Sequence, residues 1–99
     1  MKKDKPIPMP FLEEAAECLK VMAHADRLRI VDLLTRGEYP VNEIARRCEL
    51  SPHQTCGHLR LLKGHGLLDS TRRGRSVYYT ILSPRLPRLL ACLRSTCNK

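Results

Sequence analysis

The chain has 99 residues, of which 42% are hydrophobic and 28% charged, values typical of one folded domain and not of a disordered segment. A chain of this length buries roughly 60–65% of its unfolded surface, which argues against a large enclosed active site. The net charge of +8 arises entirely in residues 51–99, which hold nine basic residues and one acid, whereas nine basic and nine acidic residues balance in residues 1–50. This basic half favours a polyanionic partner, and nucleic acid is favoured over a membrane surface because the half contains neither Trp nor Phe.

The N-terminal segment MKKDKPIPMPF contains three prolines and no apolar run of signal-peptide length. We therefore expect a cytoplasmic protein with no membrane partner, in which residues 1–10 form a flexible basic arm and residues 11–97 form one domain. The five cysteines, an odd number in a chain with no export signal, favour reduced thiols over a disulfide framework.

Three helices are predicted in the first half of the chain. Apolar residues recur at helical spacing from Phe11 to about Ala23. The segment HADRLRIVDLLTRGE predicts a second helix, which His24 or Asp26 caps and Gly37 ends. A short third helix covers VNEIARRCEL, and its inward residues are predicted to be Val41, Ile44, Ala45 and Cys48.

The fourth helix begins at a clear signal, because Ser51 is a favoured N-cap and Pro52 suits the first helical position. Its leucines point inward together with Thr55. The helical step of 100° per residue then places a second set of residues on the opposite face. That outward set consists of His53, Gly57, Arg60 and Gly64, flanked by Gln54 and Cys56.

After Gly66 the period of the apolar residues changes from 3.6 residues, which is typical of a helix, to 2 residues, which is typical of a strand. The run LLDSTRRGRSVYYTIL predicts two strands joined by a tight turn at Arg73 and Gly74, with Val77, Tyr79 and Ile81 on one face. The segment SPRLPRLLACLRSTC predicts a last helix. Its apolar seam comprises Leu86, Leu89, Leu90, Leu93 and Cys97.

This order of elements predicts a mainly α fold with a small β-hairpin, namely a dimeric winged helix-turn-helix. In that arrangement the second helix of the motif enters the major groove of DNA and the hairpin, or wing, meets phosphates. Gln pairs with adenine and Arg with guanine, while wing arginines add sequence-independent attraction. The predicted DNA-binding residues are Ser51, His53, Gln54, Cys56, Gly57, Arg60, Lys63, Arg72, Arg73 and Arg75.

Three segments together resemble the ArsR/SmtB family of small winged-helix repressors: ADRLRIVDLL, LSPHQTCGHLRLLKGHGLL and RRGRSVYY. The resemblance covers about residues 11–82. It implies a homodimer built from the first and last helices, an inverted-repeat operator in double-stranded DNA, and release of DNA when an inducer binds. The broad apolar stripes of the first and last helices also predict a partner subunit.

The resemblance says less about the inducer. One branch of the family carries a Cys-x-Cys pair just ahead of the third helix, where this chain has Pro40 and Asn42. Another branch uses Asp, His and Glu on the terminal helix, but residues 83–99 contain no His and no acid. Zinc sensing at either site is therefore disfavoured, and the identity of any metal stays open.

The cysteine thiols remain as candidates for sensing an inducer. Cys18 lies on the first helix, and Cys92 and Cys97 lie on the last, two helices expected to pack together at the dimer interface. These thiols suit arsenite, a soft metal ion or an oxidant as inducer, with no cofactor required. Equally, they can simply fill space, since free Cys is among the most buried residue types.

Two other classes of function compete with a DNA-binding regulator. An enzyme would use Cys56 as nucleophile and His53 as base, but the sequence offers no oxyanion element, orienting residue or pocket for that chemistry. An RNA-binding or protein-interaction module would keep the basic wing without a preference for duplex DNA. We predict no enzymatic activity.

Overall fold

The computed structural model describes residues 5–97, so part of the predicted basic arm, residues 1–4, lies outside the described residues. The elements follow one another as α1 (Met9–Met22), α2 (Ala25–Leu34), β1 (Tyr39–Pro40), α3 (Val41–Cys48), α4 (Pro52–Gly64), β2 (Leu68–Arg73), β3 (Ser76–Ile81) and α5 (Arg85–Cys97). The predicted winged helix-turn-helix is confirmed. α1 begins at Met9, two residues before the predicted Phe11, because Pro10 occupies a first-turn position where its missing N–H costs nothing.

One sheet of three antiparallel strands, in the order β1-β3-β2, flanks the helices. The predicted hairpin is β2 and β3, but the turn is one residue later than expected. Arg73 pairs with Ser76, so the two turn residues are Gly74 and Arg75. Gly74 has φ 63°, in the left-handed region that a tight hairpin turn needs at its first position.

The core lies where the helices meet the inner face of the sheet. Thr55, Leu59 and Leu62 of α4 each have 0% exposure, which confirms the predicted inward face of this helix. The alternation in β3 is also as predicted, since Tyr79 is buried and its two same-face neighbours pack against the core. The remaining buried apolar residues are Cys18, Val21, Met22, Ile30, Val31, Leu33, Leu34, Ile44, Ala45, Cys48, Leu67, Leu68, Leu86 and Leu90.

A left-handed residue follows each of the two helices of the helix-turn-helix motif, α3 and α4. Glu49 ends α3 in a left-handed conformation, with φ 58°. Two residues after the end of α4, Gly66 has a φ of 74°, which lets the N–H of Leu67 donate to the carbonyl of Leu62 over 3.0 Å. No helix among residues 5–97 is both long and apolar enough to cross a membrane.

Candidate nucleic-acid interface

The first turn of α4 is held by a reciprocal capping box. The hydroxyl of Ser51 accepts the backbone N–H of Gln54 over 3.0 Å, and the side-chain oxygen of Gln54 accepts the backbone N–H of Ser51, also over 3.0 Å. Ser51 therefore serves the helix start. Gln54 is exposed, but it would have to share this oxygen to pair with a base.

The face of α4 opposite its buried residues is accessible to solvent. His53, Gly57 and Arg60 are exposed, and Cys56 is half-buried beside them. A Cβ added to Gly57 would meet no atom within 4 Å, so no contact within the chain requires a glycine there. Since Gly costs about 1 kcal/mol relative to Ala inside a helix, its presence fits an external partner that approaches the backbone closely.

Arg60 lies in the middle of the outer face of α4. It is exposed, and none of the ion pairs formed within residues 5–97 includes it. The guanidinium is thus free to make a bidentate contact with an external acceptor. Burial, followed by the neighbouring Cys56, raises the pKa of the Tyr79 hydroxyl, while the positive charge of Arg60 acts in the opposite direction.

The wing continues this surface from the end of α4. The ammonium of Lys63 donates to the hydroxyl of Ser70 on β2 over 2.7 Å, which ties the helix to the wing. Arg72 and Arg75 are exposed, and the ion pairs within residues 5–97 involve neither of them. The predicted residues of α4 and the wing therefore lie on adjoining elements.

Arg73 differs from the other wing arginines because it already has a partner. Its guanidinium lies 2.6 Å from the carboxylate of Glu38 and 4.8 Å from the ring centroid of Tyr78. The sequence did not indicate Glu38, because this contact depends on the two-residue strand β1, which pairs Tyr39 with Tyr79. An acidic residue from the segment before β1 thus lies against the basic wing.

The three predicted sensor thiols occupy different environments. Cys18 is buried on α1, and burial raises the pKa of its thiol, whereas Cys92 and Cys97 are exposed on α5. Within residues 5–97 of one chain, a single group of three or more potential metal ligands lies close together, and it contains no cysteine. That group is His24, Asp26 and His58. Cys48, predicted to point inward, is buried, and burial raises the pKa of its thiol.

Comparisons with known proteins agree with this architecture. Residues 22–71 match the model of a helix-turn-helix domain family. The HTH-type transcriptional regulator Rv0324 of Mycobacterium tuberculosis is 34% identical over 90% of this chain, although the chain spans only 39% of that protein's length.

Two solved structures share the fold over nearly the whole chain. The homodimeric winged helix-turn-helix DNA-binding domain of Mb0332 from Mycobacterium bovis, a possible ArsR-family regulator, is 30% identical, with a TM-score of 0.79 over 99% of this chain and 91% of its own. The antimony-specific transcriptional repressor AntR is 26% identical, with a TM-score of 0.85 over 98% of this chain and 91% of its own.

Proposed function

The chain belongs to the ArsR family of winged helix-turn-helix transcriptional regulators, and we propose that it acts as a homodimeric repressor that binds an inverted-repeat operator through α4 and the wing. Its relatives are DNA-binding regulators and not enzymes. One observation carries the proposal: α4 buries Thr55, Leu59 and Leu62 completely and leaves its opposite face open beside a basic hairpin.

Arg60 has the leading role in base recognition. It is the exposed, unpaired cation in the middle of the outer face, and a bidentate contact between Arg and guanine contributes about 1–3 kcal/mol of discrimination. His53 and Gln54 both lie somewhat less than two helical turns nearer the start of α4, where base edges are also within reach. Gly57 permits the close approach of the groove wall.

The remaining basic residues supply attraction that does not depend on base sequence. Lys63, Arg72 and Arg75 are exposed cations along the end of α4 and the wing. Each phosphate that they neutralise releases counterions, so affinity should fall steeply with salt. Arg73 joins this set only when it leaves Glu38.

The proposed dimer forms through α1 and α5. Large apolar side chains remain exposed on both helices, among them Phe11 at 49%, Leu19 at 54% and Leu93 at 41%. A second copy would cover them, and the Mb0332 domain is itself homodimeric. Two-fold symmetry then presents two copies of α4 to half-sites about one helical turn apart.

The proposed inducer is a thiophilic metalloid such as arsenite, a soft metal ion or an oxidant. Cys92 and Cys97 are exposed on α5, where a thiol-reactive agent can reach them, and either one can meet Cys18 of the same or the partner chain in the dimer. The name of AntR, an antimony-specific repressor with the same fold, supports this class of ligand. The alternative is a repressor whose cysteines only pack.

The DNA-binding proposal is tested with operators selected from a random duplex pool. We expect Arg60→Ala to lower affinity for the selected duplex roughly 5- to 150-fold per half-site and to relax one base position. Arg36→Ala removes an exposed arginine just after α2, away from α4, the wing and the two helices of the proposed dimer, so it serves as the matched control and should bind normally. Equal binding of the duplex by Arg60→Ala and wild type would contradict the assignment, and a preference for RNA would indicate a different nucleic-acid function.

The inducer is tested separately, by measuring DNA affinity with and without arsenite, zinc and an oxidant. The wild type is compared with a variant in which Cys18, Cys92 and Cys97 are all Ser. We expect one of these agents to weaken DNA binding by the wild type only. A wild type that responds to none of them would rule out cysteine sensing while leaving DNA binding established.

A further inference from the structure

A cluster of potential metal ligands lies where the start of α2 meets the middle of α4. His24 is the N-cap of α2, Asp26 lies in the first turn of that helix, and His58 is on α4. One ligand atom from each residue lies within 4.8 Å of the other two. The imidazole rings are 4.8 Å apart between centroids and meet edge to face at 68°. Because His24 is exposed, an ion can reach the cluster from solvent.

Both imidazoles use a ring nitrogen lone pair in weak bonds. Nδ1 of His24 accepts the backbone N–H of Asp26 over 3.3 Å, and Nδ1 of His58 accepts the Nε–H of Arg27 over 3.2 Å. A neutral imidazole has only one such lone pair, so a metal ion must replace these bonds or shift each ring to its other tautomer. Both bonds are long for hydrogen bonds between nitrogens, so little stability is lost.

We propose that His24, Asp26 and His58 form a binding site for a divalent transition-metal ion with an affinity for imidazole and carboxylate, such as Ni²⁺, Co²⁺ or Zn²⁺. Two histidines and one carboxylate, with water in the open position, form a common ligand set for such ions. The carboxylate of Asp26 supplies negative charge next to the ion. This charge compensates the repulsion of the ion by Arg27 and by the positive, N-terminal end of the α2 dipole.

The side chains need only modest movement to close around an ion. Ligand atoms about 2.1 Å from a tetrahedral metal are separated from one another by about 3.4 Å. The present separations of up to 4.8 Å therefore contract by about 1.4 Å, which rotation of the exposed His24 ring can supply. Arg27 keeps a second anchor when it releases His58, because its guanidinium also donates to the carbonyl of Val21 over 3.1 Å.

Binding at this site would replace a contact between α2 and α4. The bond between Arg27 and His58 joins the two helices, and an ion held by both histidines would take its place. Any effect on operator affinity rests on the proposed function of α4. The site itself does not, because metal binding can be measured on the free protein.

The site is tested by titrating the full chain with Ni²⁺ in a calorimeter. His24→Ser keeps a favoured N-cap but removes a ligand, and His58→Gln keeps an acceptor for Arg27. We expect one ion per chain in the wild type and at least tenfold weaker binding in each variant, since even an outer-shell change costs roughly 10- to 100-fold in metal affinity. The matched control, His65→Gln, should bind like the wild type.

A second readout excludes the five cysteines and any misfolded variant. Co²⁺ bound to the wild type should show no sulfur-to-metal charge-transfer absorption, and it should broaden the ring-proton NMR signals of His24 and His58 but not those of His53 and His65. Undiminished Ni²⁺ binding by both variants, no binding by the wild type, or a thiolate signature for the bound ion would each overturn the proposal.

Discussion

Glu38 is the acidic residue that restrains the wing, and removing its charge should tighten DNA binding. Its carboxylate lies 2.6 Å from the guanidinium of Arg73, and the two side chains are 40% and 55% exposed. For Arg73 to neutralise a phosphate, this pair must open. Glu38→Gln keeps the size of the side chain while removing the charge that holds Arg73.

The expected gain follows from the strength of an exposed ion pair. Such pairs contribute about 0.2–1 kcal/mol, so their removal should raise DNA affinity about 1.4- to 5-fold per wing. A dimer that engages two wings would gain the square of this factor, about 2- to 25-fold. The gain should shrink as salt is raised, because screening weakens both the ion pair and the attraction of the freed arginine to DNA.

The assay is fluorescence anisotropy with a labelled duplex over a series of salt concentrations. Glu14→Gln is the matched control, because it breaks an exposed ion pair, with Arg85, that lies away from the DNA surface; since this pair joins the two helices of the proposed dimer, the oligomeric state of both variants is measured at the concentration of the assay. Combining Glu38→Gln with Arg73→Ala completes the cycle. A gain that persists without Arg73, or no gain at all, would refute the idea that this ion pair restrains the wing.

The other predictions concern stability and thiol exposure, measured at fixed chain concentration because a dimer unfolds in a concentration-dependent way. Ser51→Ala should lower the free energy of unfolding by about 1 kcal/mol, whereas Ser51→Asn should retain most of the cap; equal losses in urea unfolding would contradict the capping role. Leu59→Ala removes a completely buried side chain and should cost about 2–5 kcal/mol in the same assay, so a loss below about 1 kcal/mol would contradict its place in the core. Alkylation followed by peptide mapping should modify Cys92 and Cys97 quickly and Cys18 slowly, because burial raises the pKa of the Cys18 thiol; the reverse order would be contrary to the fold.

The two faces of α4 could be predicted because local signals there agree with one another. Ser51 and Pro52 fix the start of the helix, and the spacing of Thr55, Leu59 and Leu62 fixes its orientation. The opposite face then follows from helical geometry alone. No knowledge of the tertiary structure was needed to place Arg60 on the surface.

The turn of the wing was predicted one residue too early because the local signal there is ambiguous. In RRGR, glycine can occupy either central position of a two-residue turn. The register is decided across the strands, where Leu68 pairs with Ile81 and Arg73 with Ser76. Arg75, and not Arg73, therefore lies in the turn itself.

Two kinds of feature left no pattern in the sequence: a very short strand, and contacts between residues that are far apart in the chain. β1 has two residues, one of them Pro40, which is too few to show alternation. His24 had a sufficient local explanation as a helix cap, and the helical spacing of α4 gave His58 no role of its own. Only the packing of α2 against α4 brings them within 4.8 Å of each other, so the metal site could not be predicted from either residue alone.

α2 lies between α5, which carries two of the three proposed sensor thiols, and α4, the helix proposed to read DNA. At one position Asp32 forms an ion pair with Arg94 of α5, in a groove that Cys97 also lines. At the other end of α2, Arg27 donates to His58 of α4. A thiol modification at Cys97 and an ion held by the histidines would thus both act next to α2. Because contiguity alone does not establish coupling, the two effects have to be measured together, and α2 is the element whose displacement both should produce.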